Sequence, residues 1–398
     1  MRMAIVHDWL TGMRGGEKCL EVFCELYPEA DIFTLLHVPG SVSAAIERHR
    51  IVTSPLQRIP GAGRHYRNLL PLMPAAVRML DLAGYDFILS SSHCVAKGAR
   101  GGGDAFHLCY CYTPIRYAWS AYEAYFGGDR LRGPARWVVP PVMAYLRRWD
   151  TEANKGVHEF VAISRTVAER IRRYYGREAD VLYPPVDTDR YRPGGRAGDY
   201  YLLVSAFAPY KRVDLAIEAF NRLGRPLKVV GAGQDFERVR RMGGPNVEFL
   251  GWQDDGALAE LYAGCRAFVF PGEEDFGITP LEAQACGRPV IALGAGGALE
   301  TVVGLNREDF PPPPGAPPPG EDEGGEPTGL FFGPEEADAL VAAVERFEAA
   351  EDAFRPEAAR AQALRFGRDR FKEEVRSRLA AGWAAHRERL AAHAEEEG

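Results

Sequence analysis

Residues 269–297 read VFPGEEDFGITPLEAQACGRPVIALGAGG, and this stretch decides the fold. A short apolar run ends at Pro271, and an amphipathic segment and a second apolar run follow it. The loop after Pro271 carries three carboxylates: Glu273, Glu274 and Asp275. Two buried strands joined by a helix form the unit of a parallel α/β sheet, in which ligands bind outside the carboxyl ends of the strands. The stretch therefore predicts such a sheet with carboxylates at its ligand-binding edge.

Glu282, in the helix that begins in this stretch, has two possible roles. Thr279, Pro280 and Glu282 have the spacing of an N-cap, a first helical residue and its capping partner. Gly277, in contrast, lets the backbone approach a ligand closely, and a helix N-terminus is a ready site for a diphosphate. The residues alone leave both a structural and a ligand-binding role for Glu282 open.

The same alternation of apolar and amphipathic runs continues over the rest of the chain. The strands predicted in the second half are YYLLVS, LKVVG, VEFLG, AFVFP and PVIAL, and those in the first half are MAIVHD, ADIFTLL, YDFILSSS, HLCYCY and FVAIS. After FVAIS, Ser164 and Gly176 have the properties of the two caps of a helix. Strictly alternating strands and helices predict a doubly wound parallel sheet in each half.

A stretch rich in proline and glycine divides the chain into two predicted domains. We place an N-terminal Rossmann-like domain at residues 1–185, a linker at 186–198 and a C-terminal Rossmann-like domain at 199–365. Residues 311–327 are a low-complexity run of proline and acidic side chains, expected to form a disordered insert in the second domain. Residues 366–398 predict a C-terminal helical tail.

Length and composition are those of a globular protein with two domains. The chain has 398 residues, of which 46% are hydrophobic and 26% charged, and these values exclude global disorder and a membrane bundle. The net charge of −7 argues against nucleic acid as a partner. Residues 1–185 nevertheless carry 23 basic and 18 acidic side chains. This excess is compatible with contact to phosphates or to an anionic membrane surface, and equally with a chance imbalance.

The cysteines and the apolar runs indicate a cytoplasmic protein. The seven cysteines form no C-x-x-C pair and lie mostly in apolar runs, so they are expected to be reduced and buried. The opening MRMAIVHDWL has too short an apolar run for a signal peptide and predicts a strand. No stretch approaches the roughly 18 apolar residues of a membrane-spanning helix. Peripheral contact with the inner face of the membrane is left open.

Glu274 and Glu282 form an E-x7-E pair that is accompanied by further motifs. These are MAIVHDWL with its Gly15-Gly16 turn, FVAIS, VLYPPVD, APYKRVDLAIEAF, VVGAG, NVEFLGW and PTGLFF. In order and spacing they resemble the retaining nucleotide-sugar glycosyltransferases of family 4, over nearly the whole chain. The chain is similar in particular to the mannosyltransferase-like members that build cell-surface polysaccharide. The resemblance implies the GT-B fold, in which two Rossmann-like domains enclose a cleft.

The resemblance also implies roles for individual residues. Glu282 would bind the donor ribose, Glu274 would lie near the transferred sugar, and Lys211 would neutralise the diphosphate. Gly15 and Gly16 would let a loop of the first domain close over the donor, although they also suit an ordinary turn before a helix. Further donor-binding positions would be Arg212, Phe276, Gly277, Ile278, Gly231 and Gly233. The glycines of VVGAG serve equally well in a simple turn.

Two positions depart from the pattern of the family. Members commonly have an arginine where this chain has Ala206, and Arg212 is the candidate for the missing charge. Members often have His-Thr-Pro where this chain has Tyr112 followed by Thr-Pro. Tyr112 can donate a hydrogen bond to the reacting sugar, but it does not exchange a proton at neutral pH as histidine does. His93 is another candidate contact, and a single histidine after a strand also suits packing.

Residues 113–156 are too long for a simple crossover between strands and are expected to add helices. Within them, residues 136–148 read RWVVPPVMAYLRR, an apolar stretch flanked by arginines. Such a stretch is suited to contact with a bilayer interface, where a lipid-linked acceptor would be located. It is equally suited to burial between helices.

The leading hypothesis is a retaining, metal-independent hexosyltransferase. It would move a sugar such as mannose from a GDP- or UDP-linked donor to a glycan or lipid-linked acceptor, without cofactor or bound metal. Paired carboxylates also suit a glycosidase, but that class needs neither the glycine turns nor the cation. A non-catalytic nucleotide-sugar-binding subunit and a nucleotide-sugar epimerase share the architecture and remain alternatives.

Overall fold

The chain folds into two compact units. The computed structural model describes residues 1–127, 131, 133–315 and 325–397. Unit 1 comprises Met1–Pro184 together with the chain from Asp369 onward, and unit 2 comprises Pro185–Arg368. Residues 316–324, the centre of the predicted insert, lie outside the described residues.

Each unit is built around one parallel sheet. The strands of unit 1 are β1 Met3–His7, β2 Asp31–Thr34, β3 Ile51–Thr53, β4 Phe87–Ser92, β5 Phe106–Cys111, β6 Glu159–Ala162 and β7 Asp180–Val181. The strands of unit 2 are β8 Tyr201–Val204, β9 Leu227–Val230, β10 Val247–Gly251, β11 Phe268–Phe270, β12 Val290–Leu293 and β13 Gly329–Phe332. Their spatial orders are β3-β2-β1-β4-β5-β6-β7 and β10-β9-β8-β11-β12-β13.

Helices connect these strands. Those of unit 1 before the linker are α1 Gly15–Leu26, α2 Ala44–Glu47, α3 Ala62–His65, α4 Met73–Arg78, α5 Tyr122–Phe126, α6 Ala135–Ala153 and α7 Arg165–Tyr175. Those of unit 2 are α8 Val213–Leu223, α9 Phe236–Arg240, α10 Asp255–Gly264, α11 Ile278–Ala285, α12 Ala298–Thr301, α13 Ala337–Ala349 and α14 Pro356–Leu364. The last helix is α15, Arg368–Glu397.

The strand order reverses once in each sheet, and this confirms the predicted doubly wound α/β fold. The reversal lies between β1 and β4 in unit 1 and between β8 and β11 in unit 2. In open α/β sheets, ligands bind outside the carboxyl ends of the strands at such a reversal. Each unit therefore has one place where the fold itself favours a site.

Local signals predicted most of these elements. The central strands β1, β4 and β5 are buried throughout, which explains why their sequences are mostly small or apolar. The hydroxyl of Ser164 accepts the backbone N–H of Val167, and Gly176 ends α7 in the left-handed conformation, so both predicted caps are confirmed. The short strands β3, β7 and β13 were not predicted.

The C-terminal helix α15 packs on unit 1, whereas the sequence assigned it to neither domain. Phe371 lies against Phe23 and Tyr110, with ring centroids 5.8 Å apart in both pairs. Trp383 lies 6.1 Å from Phe87 in the same way. The apolar side chains of α15 recur about every four residues, so one face of the helix meets the sheet.

Candidate functional site

The reversal point of unit 2 holds an ion pair between Lys211 and Glu274. The loop after β8 carries Lys211, and the loop after β11 carries Glu274. The Nζ atom of Lys211 contacts the Oε2 atom of Glu274, and the two side chains are 13% and 18% exposed. Partial shielding from water strengthens such a pair relative to one on the open surface. Two residues from separate motifs are thus neighbours at the edge where a ligand is expected.

The glycines of VVGAG position the loop that leads to Lys211. A Cβ atom at Gly231 would overlap the carbonyl oxygen of Ser205, and one at Gly233 would overlap the backbone of Phe207. The N–H of Phe207 donates to the carbonyl of Ala232 at 3.0 Å, which holds the two segments together. The close approach requires glycine at both positions, so these residues have a structural role whether or not they also contact a nucleotide.

Helix α11 begins earlier than its sequence signals suggest. Gly277 is the N-cap in a left-handed conformation with φ 91°, and no side chain caps the helix. The prediction of a capping box from Thr279 to Glu282 is therefore wrong. A glycine reaches this conformation without strain, so the chain turns into the helix two residues before the threonine. The expected donor contacts Phe276, Gly277 and Ile278 surround this helix start, and the ring of Phe276 packs 5.7 Å from that of Phe366.

Glu282 lies on α11 and is almost completely buried. Its Oε2 atom accepts a hydrogen bond of 2.9 Å from the hydroxyl of Tyr262 on α10. Burial raises the pKa of the Tyr262 hydroxyl well above its ordinary value, so the phenol stays protonated and keeps donating. With the capping role excluded, Glu282 has a structural role as the acceptor for Tyr262, and the ribose contact stays a prediction.

Arg212 has carboxylate partners of its own. It is the N-cap of α8, in a left-handed conformation with φ 50°. Its Nη1 donates to Oε2 of Glu335 at 2.7 Å, and its Nε lies 3.4 Å from Oδ1 of Asp214. A role of Arg212 in compensating for Ala206 stays a prediction, and it would require this side chain to leave those partners.

The reversal point of unit 1 holds an aspartate that sequence analysis missed. Asp8 directly follows β1 and is fully buried. Its carboxylate accepts hydrogen bonds of 2.6–3.0 Å from the backbone N–H groups of His93, Cys94, Val95 and Ala96. The Nδ1 atom of His93 lies 3.1 Å from Oδ2 of Asp8. An aspartate at the end of a buried strand beside the glycine turn was the signal that could have identified it.

Asp8 and His93 form a pair with defined protonation. Burial alone raises the pKa of the Asp8 carboxyl, but His93, His7 and the backbone donors outweigh burial and hold the pKa below its ordinary value. Burial lowers the pKa of His93, and Asp8 opposes this shift only in part. We therefore assign a neutral imidazole whose Nδ1–H donates to Asp8 and whose Nε2 accepts. The His93 side chain is 31% exposed.

Tyr112 is engaged with the glycine turn. Its hydroxyl donates to the carbonyl of Gly16 at 2.9 Å and accepts from Ser91 Oγ at 2.9 Å. Nδ1 of His7 lies 3.0 Å from the same Ser91 oxygen and completes the chain of bonds. Burial raises the pKa of Tyr112 well above its ordinary value. Tyr112, which the sequence predicted to contact the reacting sugar, thus positions Gly16 in this structure. Gly15 and Gly16 are the first two residues of α1.

The apolar stretch at residues 136–148 forms most of α6 and is amphipathic. One side packs into the core of unit 1 through Met143, Leu146 and, just beyond the stretch, Trp149. The opposite side leaves Trp137, Val138 and Tyr145 exposed, and Trp137 is 72% exposed. Neither α6 nor another helix of the described residues has the length and apolar character needed to cross a bilayer.

Two family models match the chain. Residues 13–190 match the model described as Glycosyltransferase Family 4, and residues 196–363 match the model described as Glycosyl transferases group 1. The chain belongs to glycosyltransferase family 4. The resemblance seen in the E-x7-E pair and its accompanying motifs is confirmed.

Relatives and solved structures of this glycosyltransferase agree with the family. A GDP-mannose-dependent α-(1-6)-phosphatidylinositol monomannoside mannosyltransferase of Mycolicibacterium smegmatis is 32% identical over 198 residues, which cover 42% of this chain and 51% of the relative. The match spans about half the length of the curated relatives or less. Sucrose-phosphate synthase of Thermosynechococcus elongatus is 16% identical with a TM-score of 0.67, over 97% of this chain and 100% of that one. Anabaena HepE in complex with UDP-glucose is 15% identical with a TM-score of 0.65, over 96% and 100%. At these identities the structures show the fold, and they confirm GT-B.

Proposed function

We propose that this glycosyltransferase moves a hexose such as mannose from a GDP- or UDP-linked donor to a glycan or lipid-linked acceptor, with retention of configuration and without a metal ion. The observation that carries the proposal is the ion pair between Lys211 and Glu274 at the reversal point of unit 2. The loop that carries Glu274 continues directly into the expected donor contacts at the start of α11. The named relative that uses GDP-mannose and the solved neighbour with UDP-glucose support a nucleotide-sugar donor.

The chemistry needs a partner for a growing negative charge. The oxygen of the acceptor hydroxyl bonds to the anomeric carbon, the bond from that carbon to the diphosphate breaks, and the hydroxyl proton passes to the departing diphosphate or to solvent. In this proposal Lys211 and the first N–H groups of α11 would stabilise the diphosphate, and Glu282 would accept hydrogen bonds from the ribose. In unit 1, Nε2 of His93 would accept a hydrogen bond from a sugar hydroxyl. In this proposal unit 2 binds the donor and unit 1 binds the acceptor.

A donor screen tests the function directly. We expect one nucleoside diphosphate among GDP, UDP and ADP to raise the melting temperature of the protein, because a ligand that binds only the folded state stabilises it. The matching nucleotide sugar should then be hydrolysed slowly, and NMR should show that the released sugar keeps its anomeric configuration. EDTA should leave this rate unchanged.

Other results would favour the alternatives. Hydrolysis of an aryl glycoside without nucleotide would indicate a glycosidase, and a converted nucleotide sugar would indicate an epimerase. Nucleotide binding without turnover in the presence of any acceptor would indicate a non-catalytic subunit. Inversion of the anomeric centre, or a strict requirement for Mg²⁺ or Mn²⁺, would contradict the mechanism while leaving sugar transfer in place.

We also propose peripheral contact with an anionic membrane through the exposed side of α6. Trp137, Val138 and Tyr145 supply apolar contact area, and Arg136 and Arg148 flank them, a combination suited to a bilayer interface. Trp137→Ser is expected to weaken sedimentation with vesicles of anionic lipid by about tenfold. Trp252 in unit 2 is 77% exposed, so Trp252→Ser is the matched control and should bind vesicles like the wild type. Equal binding by both variants would exclude α6 as the contact.

A further inference from the structure

A cavity of about 360 Å³ lies in unit 1 beside the glycine turn. Three arginines and a histidine contribute to its lining, and its lining residues include no carboxylate: Arg14, Arg64, Arg67 and His65. The sequence around it has the same character, since residues 48–80 contain six arginines and neither aspartate nor glutamate. The cavity is therefore strongly positive, in a chain whose net charge is negative.

A buried tyrosine holds two of these arginines. The ring of Tyr66 packs on Trp9, with centroids 5.0 Å apart. The guanidinium of Arg67 lies 5.6 Å from the centre of the Tyr66 ring, and Nη1 of Arg14 lies 3.5 Å from its hydroxyl. The positive groups thus rest on a fixed part of the core. Trp9 in turn contacts His93, with ring centroids 4.4 Å apart.

The guanidinium groups of the cavity form no ion pair with a described carboxylate, although the buried Glu17 interacts with Arg14 electrostatically at longer range. Among the residues that the structure describes, no carboxylate lies within 4.0 Å of the guanidinium groups of Arg14, Arg64 or Arg67. The nearby Glu17 accepts the backbone N–H of Arg14 and turns its other oxygen towards His7. Positive groups that lie near each other repel each other, and an anion bound between them reduces that repulsion.

We propose that this cavity binds the phosphate or diphosphate group of the acceptor substrate. The inference rests on the proposed function, in which unit 1 presents the acceptor. Guanidinium groups match the geometry of phosphate oxygens with two parallel hydrogen bonds, and the volume lies in the range of small-molecule sites. The acceptor is thus an anionic, phosphate-bearing molecule whose phosphate is bound by unit 1, while the donor is bound by unit 2.

Calorimetric titration of the full chain with inorganic pyrophosphate tests the site. The protein is first saturated with GDP or UDP, whichever it binds, so that the nucleotide fills the donor site. We expect Arg64→Gln combined with Arg67→Gln to weaken pyrophosphate binding at least about tenfold, because each charged hydrogen bond contributes substantially. Arg58→Gln combined with Arg78→Gln removes two exposed charges from the same segment outside the cavity, and it should change the affinity less than about twofold.

The source of the phosphate is distinguished by two further titrations. Geranyl diphosphate that binds more tightly than pyrophosphate would indicate a lipid-linked acceptor, and equal affinity would indicate a water-soluble phosphorylated acceptor. Geraniol, which has no phosphate, should bind neither the wild type nor the variants with measurable affinity. Tighter binding of geraniol than of pyrophosphate would overturn the proposal.

Different results would overturn the proposed phosphate site and the proposed function. No pyrophosphate binding to the nucleotide-saturated wild type, or an equal loss in both double variants, would overturn the phosphate site. The nucleotide affinity and the melting temperature, measured on the same variants, should stay at wild-type values and show that they are folded. Absence of nucleotide binding in the wild type would instead overturn the proposed function, and pyrophosphate would then be titrated without a blocking nucleotide.

Discussion

Replacing Lys211 by methionine is expected to lower the rate of sugar transfer by about 10²–10³-fold, the usual cost of removing one group that stabilises transition-state charge. The diphosphate gains charge as the glycosidic bond breaks, and Ala206 offers no cation where family members commonly have one. Lys211 would then be the main side chain that compensates this charge. Its position in the loop after β8, against Glu274, places it where the fold favours a ligand.

The measurement is kcat for transfer with the donor found in the screen, compared between Lys211→Met and Lys228→Met. Lys228 lies on β9 and stacks over Tyr200, with Nζ 4.1 Å from the ring centre, so its replacement removes the same charge from the same unit. Lys228→Met should keep near-normal kcat. A Lys211→Met protein with near-normal kcat would contradict the assigned mechanism.

Replacing Glu282 by alanine is expected to weaken nucleotide binding by about 10–100-fold and to lower stability by about 1–3 kcal/mol, the range for losing a charged hydrogen bond and for orphaning a buried donor. The first effect follows if the carboxylate binds the ribose. The second follows because the buried hydroxyl of Tyr262 loses its acceptor. Calorimetry with the nucleotide and thermal unfolding measure the two effects on the same protein.

Tyr262→Phe is the matched control, because it removes the same internal hydrogen bond and keeps the carboxylate. It should unfold at a lower temperature than the wild type and bind nucleotide with nearly normal affinity. If Glu282→Ala unfolds early yet binds nucleotide as well as the wild type, the bond to Tyr262 is the role of Glu282 and the ribose contact is wrong.

The sheets were predictable because their signals are local. Strands such as β1 and β12 are buried throughout, and this leaves an apolar run that can be recognised in the sequence without knowledge of the neighbouring strands. The caps Ser164 and Gly176 act within a few residues of themselves and were predicted correctly. The start of α11 was predicted wrongly. Two signals for a helix start, Gly277 and Thr279, lie close together in the sequence, and the backbone conformation of Gly277 determines which of them begins the helix.

The residue types of the candidate site were also readable, but their partners were not. Lys211 and Glu274 were each identified from their own motif, and the motifs say nothing about an ion pair between them. Tyr112 was expected to face a sugar, whereas its hydroxyl binds Gly16, 96 residues away. Asp8 was not predicted as a site residue because its four backbone hydrogen-bond donors lie 85–88 residues further along the chain.

The sequence by itself determined the alternation of strands and helices, the family, and the chemical types present at the ends of the strands. These follow from periodicity, turn residues and motif spacing, which act over one element or one loop. Only the tertiary structure decided which of those side chains meet. The order of the strands brings the ends of β1 and β4, and of β8 and β11, side by side. Burial there then turns Asp8 and His93 into a pair with defined protonation, because a charge or a polar group removed from water has to find its partner within the fold.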